Sequence, residues 1–297
     1  MIEAPGKLFL FGEYAVLEGA PAVVTAVDRY VRVRSSDQAY RVVGPAEPDL
    51  DLPRAVERAT GRRLGGLEVD LSDMFAGEAK VGLGSSAASC VALCAAVLGV
   101  EDRDAVFAAA LRAHRDYQGG RGSGADVAAS TWGRTQIVAP VGETLRRREV
   151  ALPAGLNVVA VWTGRSADTR AYVDAVRRTS GALEGLHRLA AEAADAFATA
   201  DASRIVELAR AYDEALGALG EAAGVPIRID AHARIADVAS ELGAAAKPSG
   251  AGGGDVSLVF SEHPLDLGRF GAALPRGART LDLGMDAAGV NSFPDPG

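Results

Sequence analysis

The chain has 297 residues, 48% hydrophobic and 24% charged, enough for one large domain or two ordinary ones with real cores. Its net charge of −8 argues against nucleic acid, whose binding is dominated by cationic contacts to phosphate, yet leaves room for a locally basic pocket around a small anion. Aromatics make up only 5%, and an apolar set of mostly Ala, Leu and Val favours helices packed on sheets.

The opening MIEAPGKLFLFGEYAVLEG has no basic leader followed by a long apolar run and does not read as a signal peptide. KLFLF (7–11) and PAVVTAVDRYVRVRSS (21–36) read as strands; Val31 and Val33 alternate with Arg32 and Arg34, the period of a half-buried strand. Prolines interrupt the pattern over 44–66, with a short helix expected at 53–60 and a strand at 67–72. GLGSSAAS (82–89) is a glycine-serine turn running into a helix at 86–98. The longest apolar run, SAASCVALCAAVLGV, has about fifteen residues, too short to span a bilayer. Cys90 and Cys94 share one face of that helix and are expected as buried, reduced core residues, in keeping with a cytoplasmic location.

A second helix is expected at 102–117, with Asp102 and Asp104 near its positive end. GGRGSGADVAASTWG (119–133) is another glycine-rich turn leading into a helix. TQIVAP and LNVVAVWTG read as strands around a charged loop, GETLRRREV, and 168–220 reads as amphipathic helix. A helix at 230–243 and strands at 255–260 and 278–285 follow. The whole reads as α+β with two lobes, 1–150 and 151–297.

Four stretches carry chemistry. In GLGSSAAS, Gly82 and Gly84 let the backbone approach an anion at a helix N-terminus, and Ser85 and Ser86 add hydroxyls. It is not a P-loop, and the alternative is a tight turn capped by Ser85. KPSGAGGGD (247–255) concentrates glycine between a helix and a strand, either as a flexible loop or as a place of close backbone approach. Asp126 opens a helix after a glycine turn, as a first-turn carboxylate or as a functional one. Lys7 is either a solvated strand end or a charge aimed into a cleft.

APGKLFLFGEYAVLEG, KVGLGSSAA, GSGADVAAS and KPSGAGGGD, in this order and covering residues 4 to about 260, resemble the motifs of the GHMP kinase superfamily. The finer likeness is to its bacterial-type phosphomevalonate kinases. Lys80 stands where mevalonate kinases carry a proline-containing lead-in, and Asp255 where they usually have another glycine. AHRDYQGGRGSGADVAASTWG is similar to AHxxAQGxxGSGxDVAAAxYG.

The resemblance implies the GHMP kinase fold: an N-terminal lobe like ribosomal protein S5 domain 2 and a ferredoxin-like C-terminal lobe, with the active site between them. It implies ATP-dependent phosphorylation of 5-phosphomevalonate with Mg²⁺, by a monomer or homodimer without nucleic-acid or membrane partners. Lys7 and Asp126 are then the catalytic residues. Gly82, Leu83, Gly84, Ser85, Ser86 and Ala87 would hold the ATP phosphates, with Ser86, or alternatively Ser85, on Mg²⁺. Lys80, His114, Arg121, Ser123 and Arg165 would face the acceptor, and Ser249, Gly250, Ala251, Gly252, Gly253 and Asp255 would close over it or over the phosphates. Two positions depart from the family pattern. Asp168 replaces a hydroxyl in TGRSADT, and the upstream Glu that mevalonate kinases place on the metal falls here, by spacing, on Arg115. Mevalonate kinase is the nearest rival reading; a diphosphomevalonate decarboxylase and a non-catalytic protein of the same fold are more remote.

Overall fold

The computed structural model describes residues 1–45, 49–120, 122–167, 169–179 and 183–294, the side chains of 169 and 170 excepted. Its N-terminal half contains β1 (Ile2–Phe11), β2 (Ala22–Ser35), β3 (Arg41–Val43), α1 (Asp51–Thr60), β4 (Leu67–Asp70), β5 (Phe75–Ala76) and β6 (Ala79–Lys80). Then come α2 (Ser85–Leu98), α3 (Arg103–Tyr117), α4 (Ala125–Trp132), β7 (Thr135–Val141) and β8 (Thr144–Val150). β2, rich in β-branched residues, is the spine of this sheet: β1 runs along one edge, and β7 and β4 pair with the other edge at its two ends. β1 tolerates Pro5 because its second edge is paired only at Ile2 and Glu3, leaving that side open further along.

α2 is buried along nearly its whole length, as an all-round apolar helix must be, and packs against α1, α3, α4 and the sheet. Cys90 and Cys94 are buried free thiols within it. Asp102 caps α3 by accepting from the Ala105 amide, as its position predicts.

The second half contains β9 (Asn157–Trp162), α5 (Thr169–Arg177), α6 (Glu184–Ala198), α7 (Ala202–Ala223), α8 (Asp230–Glu241), β10 (Ala245–Ser249), β11 (Val256–Ser261), α9 (Leu267–Ala273), β12 (Arg279–Leu281) and β13 (Asn291–Ser292). Its sheet has the antiparallel order β12-β9-β11-β10, which is the ferredoxin-like arrangement. α8 and α9 form a small separate core against it through Ile235, Val238, Val259 and Phe270. The two-lobed α+β fold expected from the sequence is present. β13, however, returns to pair with β1, so the tail of the 151–297 segment belongs to the first sheet.

Beyond α9 and the short strands β3, β5, β6 and β13, which the sequence did not announce, two longer segments differ from expectation. GETLRRREV is not a loop: Thr144–Val150 is a strand at the sheet edge, and its mostly exposed side chains hide the alternation a half-buried strand would show. AAKPS is also a strand, β10, where Pro248 is tolerated because β10 lies at the edge of its sheet. Among the described residues, no helix is long and apolar enough to cross a membrane.

Candidate active site

The glycine-serine turn lies against the open edge of β1, where the Lys7 amide donates to the Leu83 carbonyl at 2.8 Å. α2 begins after Gly84, which has φ 77° and provides no side-chain cap. Ser85 is the first helical residue and is buried, so the capped-turn alternative fails and the helix start keeps N–H groups that no cap satisfies. Both glycines are required by close approach. At Gly84 a Cβ would lie 2.8 Å from Lys7 Cε, and at Gly82, with φ 90°, it would overlap the Asp255 carboxylate. The turn is thus wrapped around one lysine and one aspartate.

These groups line a cleft of about 510 Å³ that also includes Lys80, Ser86, Ser123, Asp126, Ser249, Gly250 and Ala251. Lys7 is buried, and burial lowers its pKa; Asp126, Asp255 and Glu13 oppose that shift, while Lys80 adds to it. Burial raises the Asp255 carboxyl, against the Ala167 amide that donates to it at 3.1 Å and the charges of Lys7 and Lys80. Asp255 holds φ 55°, a left-handed conformation uncommon for a residue with a side chain, which marks the position as locally constrained.

The second glycine loop is strapped to the end of β1 and to the turn after it. Ser249 Oγ donates to the Phe9 carbonyl at 2.9 Å and accepts from the Phe9 amide at 3.0 Å. The Tyr14 hydroxyl donates to the Ala251 carbonyl at 2.5 Å. Lys247 and Glu13 form a fully buried pair at 2.5 Å, and the Tyr212 hydroxyl donates to the Glu13 carbonyl at 3.0 Å. Burial pushes Lys247 down and Glu13 up, while their contact favours the charged forms.

Several expected residues sit elsewhere. Leu83 and Ala87 are buried packing residues, and the Leu83 carbonyl accepts from the Lys7 amide. Ser249 reaches the cleft, but its hydroxyl is committed to both backbone groups of Phe9. Gly252 and Gly253 pack against Ile227 and Tyr172 behind the cleft. Arg165 is exposed outside it, and its carbonyl accepts from the Asp255 amide at 2.6 Å. Arg121 and Asp168 lie outside the described residues. His114 is buried at 1% exposure and does not reach the cleft, because α3 runs behind it. Arg115 is turned away as well, donating to the Gly122 and Glu143 carbonyls; Tyr117 at the end of α3 and Gln118, its C-cap, are what reach the cleft.

Sequence reasoning missed Glu13, Tyr14, Tyr117 and Gln118 in the lining. Glu13 lies within GEYAVLEG, but nothing local announces that a lysine more than two hundred positions later neutralises it. Among the described residues there is no cluster of three His, Cys, Asp or Glu able to hold a metal alone.

The model of the GHMP kinases N terminal domain matches residues 52–134. A phosphomevalonate kinase of Streptomyces sp. (strain CL190) is 32% identical over 344 aligned residues, spanning 89% of this chain and 91% of that protein. A mevalonate kinase of Archaeoglobus fulgidus is 32% identical over 270 residues, spanning 84% and 88%. The fold is similar to that of the Streptococcus pneumoniae phosphomevalonate kinase solved with phosphomevalonate and AMPPNP, with a TM-score of 0.81 and 20% identity over 96% of this chain and 99% of that one. A cleft at the glycine-led starts of α2 and α4, with a buried lysine and a facing aspartate, thus coincides with whole-length similarity to kinases, and the chain belongs to the GHMP kinase family of phosphotransferases.

Proposed function

We propose that this enzyme transfers the γ-phosphoryl group of ATP to the phosphate of 5-phosphomevalonate, forming 5-diphosphomevalonate and ADP. The observation that carries the acceptor assignment is the second lysine: Lys80 lines the cleft with Lys7, giving two cations where a mevalonate acceptor needs fewer. Whole-length similarity to a phosphomevalonate kinase supports it.

Phosphoryl transfer requires positioning and charge neutralisation rather than covalent help from the protein. The amides of Gly82–Ser86 hold the nucleotide phosphates at the start of α2. An oxygen of the acceptor phosphate attacks the γ-phosphorus, the bond to the bridging oxygen breaks, and ADP departs. The acceptor phosphate has a second pKa of about 6 and is mostly a dianion at neutral pH, so little proton removal is needed. Asp126 therefore orients Lys7 and a substrate hydroxyl, and Lys7 and Lys80 offset the charge that gathers as the two phosphates meet.

The oxygens at hand suit Mg²⁺, which takes one or two protein ligands and completes its shell with phosphates and water. Ser86, with a hard hydroxyl, and Asp126, with a carboxylate, both line the cleft and would hold the ion. When bound there, Mg²⁺ would neutralise phosphate charge.

A mevalonate acceptor is the second reading, favoured by the Archaeoglobus relative; Asp126 would then serve as a base. The deciding experiment measures ADP release from ATP and Mg²⁺ with 5-phosphomevalonate, mevalonate, galactose and homoserine in turn. We expect turnover with 5-phosphomevalonate and much less with the others. Equal or faster turnover of mevalonate would overturn the assignment.

A further inference from the structure

We propose that His114 is a positioning residue that turns the Ser86 hydroxyl into a metal ligand by accepting its hydrogen bond from behind the cleft. The inference rests on the reading above that Ser86 faces the metal and the phosphates.

His114 projects from α3 into the interface with α2 and α4 and is buried. Its Nε2 lies 3.1 Å from Ser86 Oγ, in the first turn of α2. Its Nδ1 lies 3.7 Å from Asp126 Oδ1, in the first turn of α4. That second contact is electrostatic rather than a hydrogen bond, and the carboxylate favours the tautomer whose proton sits on the facing nitrogen. Asp126 Oδ1 is already fixed by the Val127 amide at 2.9 Å, so the carboxylate is held in place beside the ring.

A carboxylate only accepts, so the ring proton belongs on Nδ1. Nε2 is then a bare acceptor, and the one proton of Ser86 must point back at it. Both oxygen lone pairs of Ser86 are left for the cleft, where they can bind a hard cation but cannot donate to a phosphate oxygen. The opposite tautomer reverses this: Nε2–H would donate to Ser86, and the hydroxyl proton would face the phosphates. A single buried ring therefore decides whether Ser86 serves metal or phosphate, and it links that choice to Asp126 on the acceptor side. The arrangement is the outer-shell logic of metal sites, in which a partner behind the ligand sets its orientation.

The tautomer is measurable without turnover. Long-range proton–nitrogen correlation on the ¹⁵N-labelled enzyme, with the His114 signal identified by its loss in His114→Gln, should show Nδ1 protonated and Nε2 bare. A proton on Nε2 overturns the proposal, and this arm needs no variant to be active. The second arm follows binding of AMPPNP by calorimetry as Mg²⁺ is varied. His114→Phe should raise the Mg²⁺ concentration required by about tenfold or more. His114→Gln, whose amide oxygen can still accept from Ser86, should restore much of that loss. Equal Mg²⁺ requirements in wild type and His114→Phe would also overturn it. Were mevalonate to prove the preferred acceptor, the functional reading would fall while both arms kept their meaning.

Discussion

At the residue scale, burial explains the character of the charged groups. Lys7 is a buried amine kept useful by the carboxylates around it, and its charge is wanted where phosphate charge accumulates. Away from the cleft, His232 shows the same physics in a structural setting. Its Nδ1 lies 2.7 Å from Ser257 Oγ, and burial lowers its pKa to about 3. In the unfolded chain it titrates near 6.5, so below that pH the unfolded state binds the extra proton. The stability it contributes is complete above about pH 6.5 and is lost as pH falls toward 3, by at most about 1.4 kcal/mol per pH unit. Asp213, raised to about 6 by burial against Arg228, runs the other way, favouring the fold as pH falls from 6 toward its ordinary range. We expect His232→Gln to flatten the loss of stability on the acid side, measured as urea midpoints across this range. An unchanged slope would show that His232 is not the group responsible.

At the scale of elements, the site is made where helices begin. α2 and α4 both start after a left-handed glycine, and both starts reach the cleft. The consequence can be tested at Gly84, where an added methyl meets the Lys7 side chain at 2.8 Å and φ is already 77°. Gly84→Ala should lower kcat/KM by about a hundredfold, since a displacement of about 1 Å is enough to do so. Circular dichroism should show the fold retained. Normal turnover in this variant would mean that the turn does not hold the phosphates as proposed.

At the scale of the molecule, the two lobes are joined under the cleft by a buried strap of Ser249 on Phe9, Tyr14 on Ala251 and Lys247 on Glu13. The Lys247–Glu13 pair carries most risk, because removing one partner leaves a charge without compensation in the interior. Lys247→Met should reduce the unfolding free energy by about 3–5 kcal/mol, and Glu13→Leu combined with it should recover much of the loss. Urea denaturation of the three proteins decides this. A single variant as stable as the wild type would show that the pair does not hold the lobes.

The sequence alone determined the helices of the first half, the helical character of the stretch that became α5 to α7, α8 and the longer strands, the two-lobed class, and the stretches that would carry chemistry. Those signals are local: hydrophobic period, caps, and glycines clustered at helix starts. It did not reveal α9 or the strands β3, β5, β6 and β13, which are too short to show a period, nor β8 and β10, since edge strands need no alternation and can hold a lysine and a proline. Only the tertiary structure decided which members of each motif reach the cleft. Leu83, Ala87 and His114 share motifs with residues that line it, yet helix packing turns their side chains into the interior. It also decided that Lys247 belongs to Glu13 and Asp255 to Gly82, because contacts across more than a hundred positions are set by the meeting of two lobes, which no local pattern encodes.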